Sequence, residues 1–206
     1  MEYLRDPKEI YRLSYEIART EADLSAFPSE MEDVVIRLIH ACGMPNIVED
    51  LRWSDGVISA ACEVLKSGAS IICDAQMVAE GINTSRLPSD NQVLSMIRAP
   101  NLCKIAKENG TTRSAAQVEL WKPFLPGSIV VLGNAPTALF RLLEIISGDA
   151  SRKPALILAF PVGFVGAAES KIALHTGSHG VPYLTLLGRR GGSAIAAASV
   201  NALAGK

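Results

Sequence analysis

The chain has 206 residues, with 20 Lys and Arg against 21 Asp and Glu, 49% hydrophobic residues and 5% aromatic ones. That length fits one generous domain able to bury its own core, and the apolar fraction excludes a disordered chain. A net charge of −1 creates no global field for nucleic acid or an anionic membrane, so an anionic ligand must be gripped by a few local groups.

Residues Met1 to Glu9 are charged and lack the apolar stretch of a secretory signal. The uncharged runs between Lys153 and Glu169 and from Gly191 to Gly205 are too short, or too broken by Gly and Pro, to span a bilayer. These features predict a cytoplasmic chain with no membrane partner. Cys42, Cys62, Cys73 and Cys103 stand singly among apolar neighbours, which reads as buried, reduced thiols. No repeat or low-complexity linker divides residues 1–206, so a single domain is expected.

The first third reads as helical. Asp6 caps a helix whose first turn holds Pro7 and whose apolar positions are Ile10, Leu13, Ile17 and Ala18. A second helix opens at Ser29, with Glu32 completing a capping box, and stops at Gly43. A third starts at Ser54 or Asp55 and ends near Gly68. Five apolar runs then read as strands: 70–73, 93–97, 129–132, 155–160 and 183–187. Helical patterns occupy 75–80, 102–108, 114–124, 137–147, 166–174 and 193–203. The strand runs do not alternate with polar residues, which suits a sheet covered on both faces. The expectation is therefore an α/β fold in three α/β/α layers, with a mostly parallel five-stranded sheet and an N-terminal helical segment.

Ligands of such sheets bind beyond the carboxyl ends of the strands, and several unusual stretches fall there. Gly188-Arg189-Arg190-Gly191-Gly192-Ser193 has the composition of an anion grip, and equally of a tight turn with solvated arginines. It is neither a phosphate loop nor a dinucleotide fingerprint. Gly133 to Thr137 reads as an ordinary helix entry with Asn134 as cap. Thr112 reads as another cap, and Arg113 sits at a helix start, where the macrodipole repels a cation and an anionic partner would compensate.

His40 lies on a helix whose apolar face is set by Val35, Leu38, Ile39 and Cys42, and it shares a different face with Arg37. Histidine donates or accepts protons near neutral pH, although a lone helical histidine is commonly an ordinary surface or core residue. His175 and His179 have a metal-ligand spacing, but Thr176-Gly177-Ser178 is poor helix and no third ligand lies near, so no metal is expected.

Several stretches together resemble the precorrin-8X methylmutase family: Arg37 to Gly43, Cys73 to Val78, Thr112 to Ala116, Gly133 to Leu139, Pro161 to Lys171 and Gly188 to Ser193. The likeness runs from Tyr3 almost to the C-terminus. It implies a flavodoxin-like fold and a homodimer with active sites at the subunit interface. It also implies a cobalamin-pathway isomerase that moves a methyl group within ring C of precorrin-8X, giving hydrogenobyrinic acid, or does the same with the cobalt counterpart. Such a rearrangement needs no cofactor. By the resemblance, His40 is the acid/base and Ser14 and Arg37 contact the substrate. Arg113 and the turn Gly188, Arg189, Gly191, Gly192 and Ser193 look like further carboxylate contacts of this tetrapyrrole. A non-catalytic tetrapyrrole carrier is the alternative of a different class. A nucleotide-binding flavodoxin relative is a weaker one, disfavoured by the missing phosphate loop.

Overall fold

The computed structural model describes residues 1–177 and 179–205. Its strands are β1 (Leu51–Trp53), β2 (Ile71–Cys73), β3 (Val93–Ser95), β4 (Ile129–Leu132), β5 (Leu156–Ala159) and β6 (Tyr183–Leu186), in one sheet of order β1-β6-β5-β4-β2-β3. All neighbours are parallel except β1 and β6. Counted alone, the five parallel strands stand in the order 2-1-3-4-5, a doubly wound arrangement.

The expected five-stranded sheet therefore needs correction to six. β1 is three residues long, with Arg52 at its centre, so no apolar run announces it. It exists because Leu51, Arg52 and Trp53 pair with Leu186, Thr185 and Leu184 far along the chain.

The helices are α1 (Pro7–Glu21), α2 (Ser29–Cys42), α3 (Val57–Lys66), α4 (Gln76–Gly81), α5 (Leu102–Glu108), α6 (Arg113–Trp121), α7 (Pro136–Gly148), α8 (Ala167–Thr176) and α9 (Ser193–Leu203). Successive strand side chains point to opposite faces, and here both faces are dry. Ile129 and Val131 of β4 pack in the core shared with α2, α3, α4 and α9, whereas Val130 and Leu132 pack in the core shared with α6, α7 and α8. All residues of β4 and β5 are buried, which is why these runs show no alternation. None of the described helices is long and apolar enough to cross a membrane.

The N-terminal segment departs from expectation in its packing. Asp6 does cap α1, accepting a hydrogen bond from the Lys8 N–H at 2.9 Å. Only Ala18 of this helix is buried, however, and Ile10, Leu13 and Ile17 remain 42%, 40% and 46% exposed. Nor does the capping box at Ser29 form: Pro28 holds the cap position without a side-chain bond, and Glu32 pairs with Arg19 of α1 at 3.2 Å. The cysteines are also less uniform than expected. Cys73 is buried, Cys42 and Cys62 are half-buried, and Cys103 is exposed, all four as free thiols.

Candidate active site

The corner between β2 and β4, where the doubly wound order reverses, is the usual place for a ligand. Here the chain fills it with its own carboxylate. Asp74, fully buried at the end of β2, accepts hydrogen bonds from the N–H groups of Gly133 at 2.8 Å, Asn134 at 3.0 Å and Ala135 at 2.8 Å. Burial pushes the Asp74 carboxyl above the usual carboxylate range, and the three N–H groups oppose that push. The entry to α7 is thus capped from another strand rather than by Asn134, and an anion-binding cradle of the kind a nucleotide phosphate uses is already occupied.

The Gly188 to Ser193 turn is likewise tied into the protein. A Cβ on Gly191 would lie 2.3 Å from the Phe160 carbonyl oxygen and 2.7 Å from that of Pro161, so only glycine fits this close approach. Fully buried Lys171 locks the same corner, donating from Nζ to the carbonyls of Arg190 at 2.6 Å and Pro161 at 3.0 Å. Burial brings its ammonium down to about 8. Arg190 is committed to Asp50 at 2.6 Å and to Asn46 Oδ1 at 2.8 Å, while exposed Arg189 lies 5.4 Å over the Phe164 ring. Arg113 also has a partner within the chain: it donates to the Ile97 carbonyl at 2.8 Å, and Thr112 caps its helix through the Ala115 N–H. That partner is a carbonyl dipole rather than the anion expected from the helix macrodipole.

Ser14, Arg37 and His40, by contrast, are brought together. A groove of about 610 Å³ lies against the helical layer, walled by Tyr11 and Tyr15 from α1, Arg37 and His40 from α2, Arg86 from the turn after α4, and Asn201 from α9. The local sequence explains both near walls. Tyr11, Ser14 and Tyr15 share one face of α1 at spacings of three and four, and Arg37 and His40 share one face of α2 while Val35, Leu38 and Ile39 are buried on the other. Ser14 Oγ meets His40 Nδ1 at 2.8 Å. The imidazole stands edge-on to Tyr15 at 5.3 Å and tilted against Tyr11 at 5.6 Å. The Arg37 guanidinium carbon lies 6.0 Å from the Tyr15 ring centre.

Chemically, this fixes the imidazole through Nδ1 and leaves Nε2 for a ligand, since His40 is exposed and its ring has no other hydrogen bond among the described residues. Among the described residues no acid lines the groove, and neither Arg37 nor Arg86 is in an ion pair. Such a place favours an anionic ligand able to take a proton from, or give one to, an imidazole.

Arg113, Gly188, Arg189, Gly191, Gly192 and Ser193 do not line this groove. Sequence reasoning passed over Tyr11, Tyr15, Arg86 and Asn201. The spacing of the two tyrosines around Ser14 was the available signal for them; Arg86 had none. His175 and His179 have separate partners, Tyr183 at 2.7 Å for the first and Ser147 at 3.4 Å for the second.

A doubly wound α/β protein with a histidine and two arginines that form no ion pair among the described residues, all in one open groove, is the class these features define. Residues 9–205 match the family model described as Precorrin-8X methylmutase, and the chain belongs to that family. It is 54% identical to the Precorrin-8X methylmutase of Pseudomonas aeruginosa, over 99% of this chain and 98% of that protein. It is 50% identical to the Precorrin-8X methylmutase of a Sinorhizobium species, over 98% of this chain and 96% of that protein. Among solved structures, a precorrin-8X methylmutase from Thermus thermophilus superposes with a TM-score of 0.85 at 36% identity, covering 96% of this chain and 94% of that one.

Proposed function

We propose that the groove lined by Arg37 and His40, with Ser14 holding the imidazole from outside the lining, is where the chain performs the isomerisation of its family, the shift of a methyl group within ring C of precorrin-8X to give hydrogenobyrinic acid. The observation that carries this reading is the 2.8 Å contact that orients His40 beside Arg37 in a groove where no described residue is an acid. His40 Nε2 delivers a proton to the macrocycle beside ring C, which makes the conjugated system electron-poor and eases the migration; the proton returns to the imidazole when the product has formed. Ser14 keeps the ring oriented through Nδ1, so its role is at least partly to position His40. Arg37 takes a carboxylate arm of the substrate, and the rings of Tyr11 and Tyr15 stand against the imidazole and restrict its tilt. The methyl group leaves and arrives on the same molecule, so no donor is consumed. The two relatives at 50% identity or more are named for precorrin-8X, which supports the metal-free ring as substrate.

In this reading the parallel part of the sheet is flavodoxin-like, as its strand order suggests. A second copy of the chain covers the exposed Ile10, Leu13 and Ile17 of α1, next to the groove, forming a homodimer with its active sites at the interface. Arg113 and the Gly188 to Ser193 turn act on substrate only if the second copy brings them to the groove.

The test is a titration with hydrogenobyrinic acid, repeated over a dilution series monitored by light scattering. Arg37→Gln is expected to bind about ten- to a hundredfold more weakly, the effect of losing one charge-assisted hydrogen bond. Affinity is expected to fall where the dimer dissociates. Full affinity in Arg37→Gln would remove the groove from the account, and full activity in a monomer would remove the dimer.

A further inference from the structure

We infer that Arg86 forms a second carboxylate subsite in the groove, on a different wall from Arg37, and that Asn201 is its positioning residue. The inference rests on the groove being the substrate site and assigns to it a residue that no sequence motif marks.

Three observations converge on Arg86. It lines the groove that holds His40 and Arg37, yet it comes from the turn Thr84–Arg86 after α4 rather than from either near wall. Among the described residues it has no acidic partner, whereas Arg12, Arg19, Arg141, Arg152 and Arg190 each meet a carboxylate. An arginine left unneutralised in a concave place is poised for an external anion.

The third observation is that its turn is anchored rather than loose. Asn201 of α9 clasps the segment with both ends of its amide: Oδ1 accepts the Asn83 N–H at 2.8 Å and Nδ2 donates to the Gly81 carbonyl at 2.9 Å. Asn83 in turn caps the following residues, its Oδ1 accepting from the Ser85 N–H at 3.2 Å and the Ser85 hydroxyl at 2.7 Å. The guanidinium lies beside Gly205, where a Cβ would be 2.9 Å from Arg86 Nη2. Two guanidiniums on separate walls fit a ligand carrying carboxylates on different sides of a flat body, which the acid arms around a tetrapyrrole supply. Holding two arms fixes the rotation of the ring in its own plane and so decides which pyrrole-derived ring faces His40. Arg86 thereby contributes regiospecificity as well as affinity.

The experiment titrates hydrogenobyrinic acid into wild type, Arg37→Gln, Arg86→Gln, Arg86→Lys and Asn201→Ala at low and moderate salt, with turnover measured in parallel. Arg86→Gln should bind about ten- to a hundredfold more weakly, show a shallower loss of affinity with salt and lose kcat/KM, with kcat also falling because the ring then binds in unproductive orientations too. Arg86→Lys should recover part of the affinity, because it restores the charge without the planar pair of donors. Asn201→Ala should show a smaller loss of the same kind and no change in the His40-dependent pH profile. Binding of Arg86→Gln within twofold of wild type, with Arg37→Gln weakened, overturns the subsite and leaves the proposed function standing. Failure of wild type to bind the product at all overturns both. Arg86 is exposed and, among the described residues, its side chain makes no hydrogen bond, so its variants are expected to fold as wild type, which circular dichroism checks.

Discussion

Replacing His40 with alanine is expected to slow conversion of precorrin-8X by about 10²- to 10⁴-fold, the usual loss when a proton-transfer group is removed. Binding of hydrogenobyrinic acid should change little, because the guanidiniums and the groove walls remain. The substitution leaves the core untouched: His40 is exposed, and its hydrogen bond runs only to Ser14. Ser14→Ala keeps the imidazole but frees its orientation, so it should lose less turnover than His40→Ala, and combining the two should add little to the histidine change alone. Stopped or steady-state rates together with product titration check both parts. Near-normal turnover in His40→Ala would reject the assignment.

The largest effect on stability is expected from Asp74→Ala. It removes both acceptor oxygens from the N–H groups of Gly133, Asn134 and Ala135, which lead into α7. Gly133 is buried and Ala135 half-buried, so water replaces the lost carboxylate only in part. At about 1–3 kcal/mol for an unsatisfied buried donor, and less for the exposed Asn134, the cost is about 2–4 kcal/mol. For a chain of this size that corresponds to a fall in Tm of roughly 5–15 °C. The vacated cradle should then bind a small anion, so formate should raise the Tm of Asp74→Ala more than that of wild type. Differential scanning calorimetry with and without formate measures both. A Tm unchanged by the substitution would mean that Asp74 does not cap α7.

The parallel strands were legible in the sequence because β2, β4 and β5 are buried on both faces and stand out as unbroken apolar runs. β1 was not, since a three-residue edge with a central arginine carries no such signal and depends on its partner. In the site, the spacing of Arg37 and His40 placed them on one helical face and off the core. The resemblance gave the role of His40, the substrate and the reaction, none of which follows from spacing or composition. Asp74 was visible only as a residue after a strand, because the N–H groups it serves lie 59 to 61 positions further on. Arg113 shows the limit of a local rule. Its place at a helix start calls for a partner with negative charge density, and the Ile97 carbonyl, brought near by the fold, answers that call. Arg86 depends in the same way on Asn83 and Asn201, paired across 118 positions.

The most direct test of the central claim is to incubate the purified protein, with nothing added, with precorrin-8X and follow the absorbance spectrum of the macrocycle. Catalytic conversion of many equivalents to hydrogenobyrinic acid by wild type, lost in His40→Ala although that variant still binds the product, is the result predicted here. Stoichiometric binding with an unchanged spectrum would contradict it and would mark the chain as a carrier of the ring rather than an enzyme acting on it.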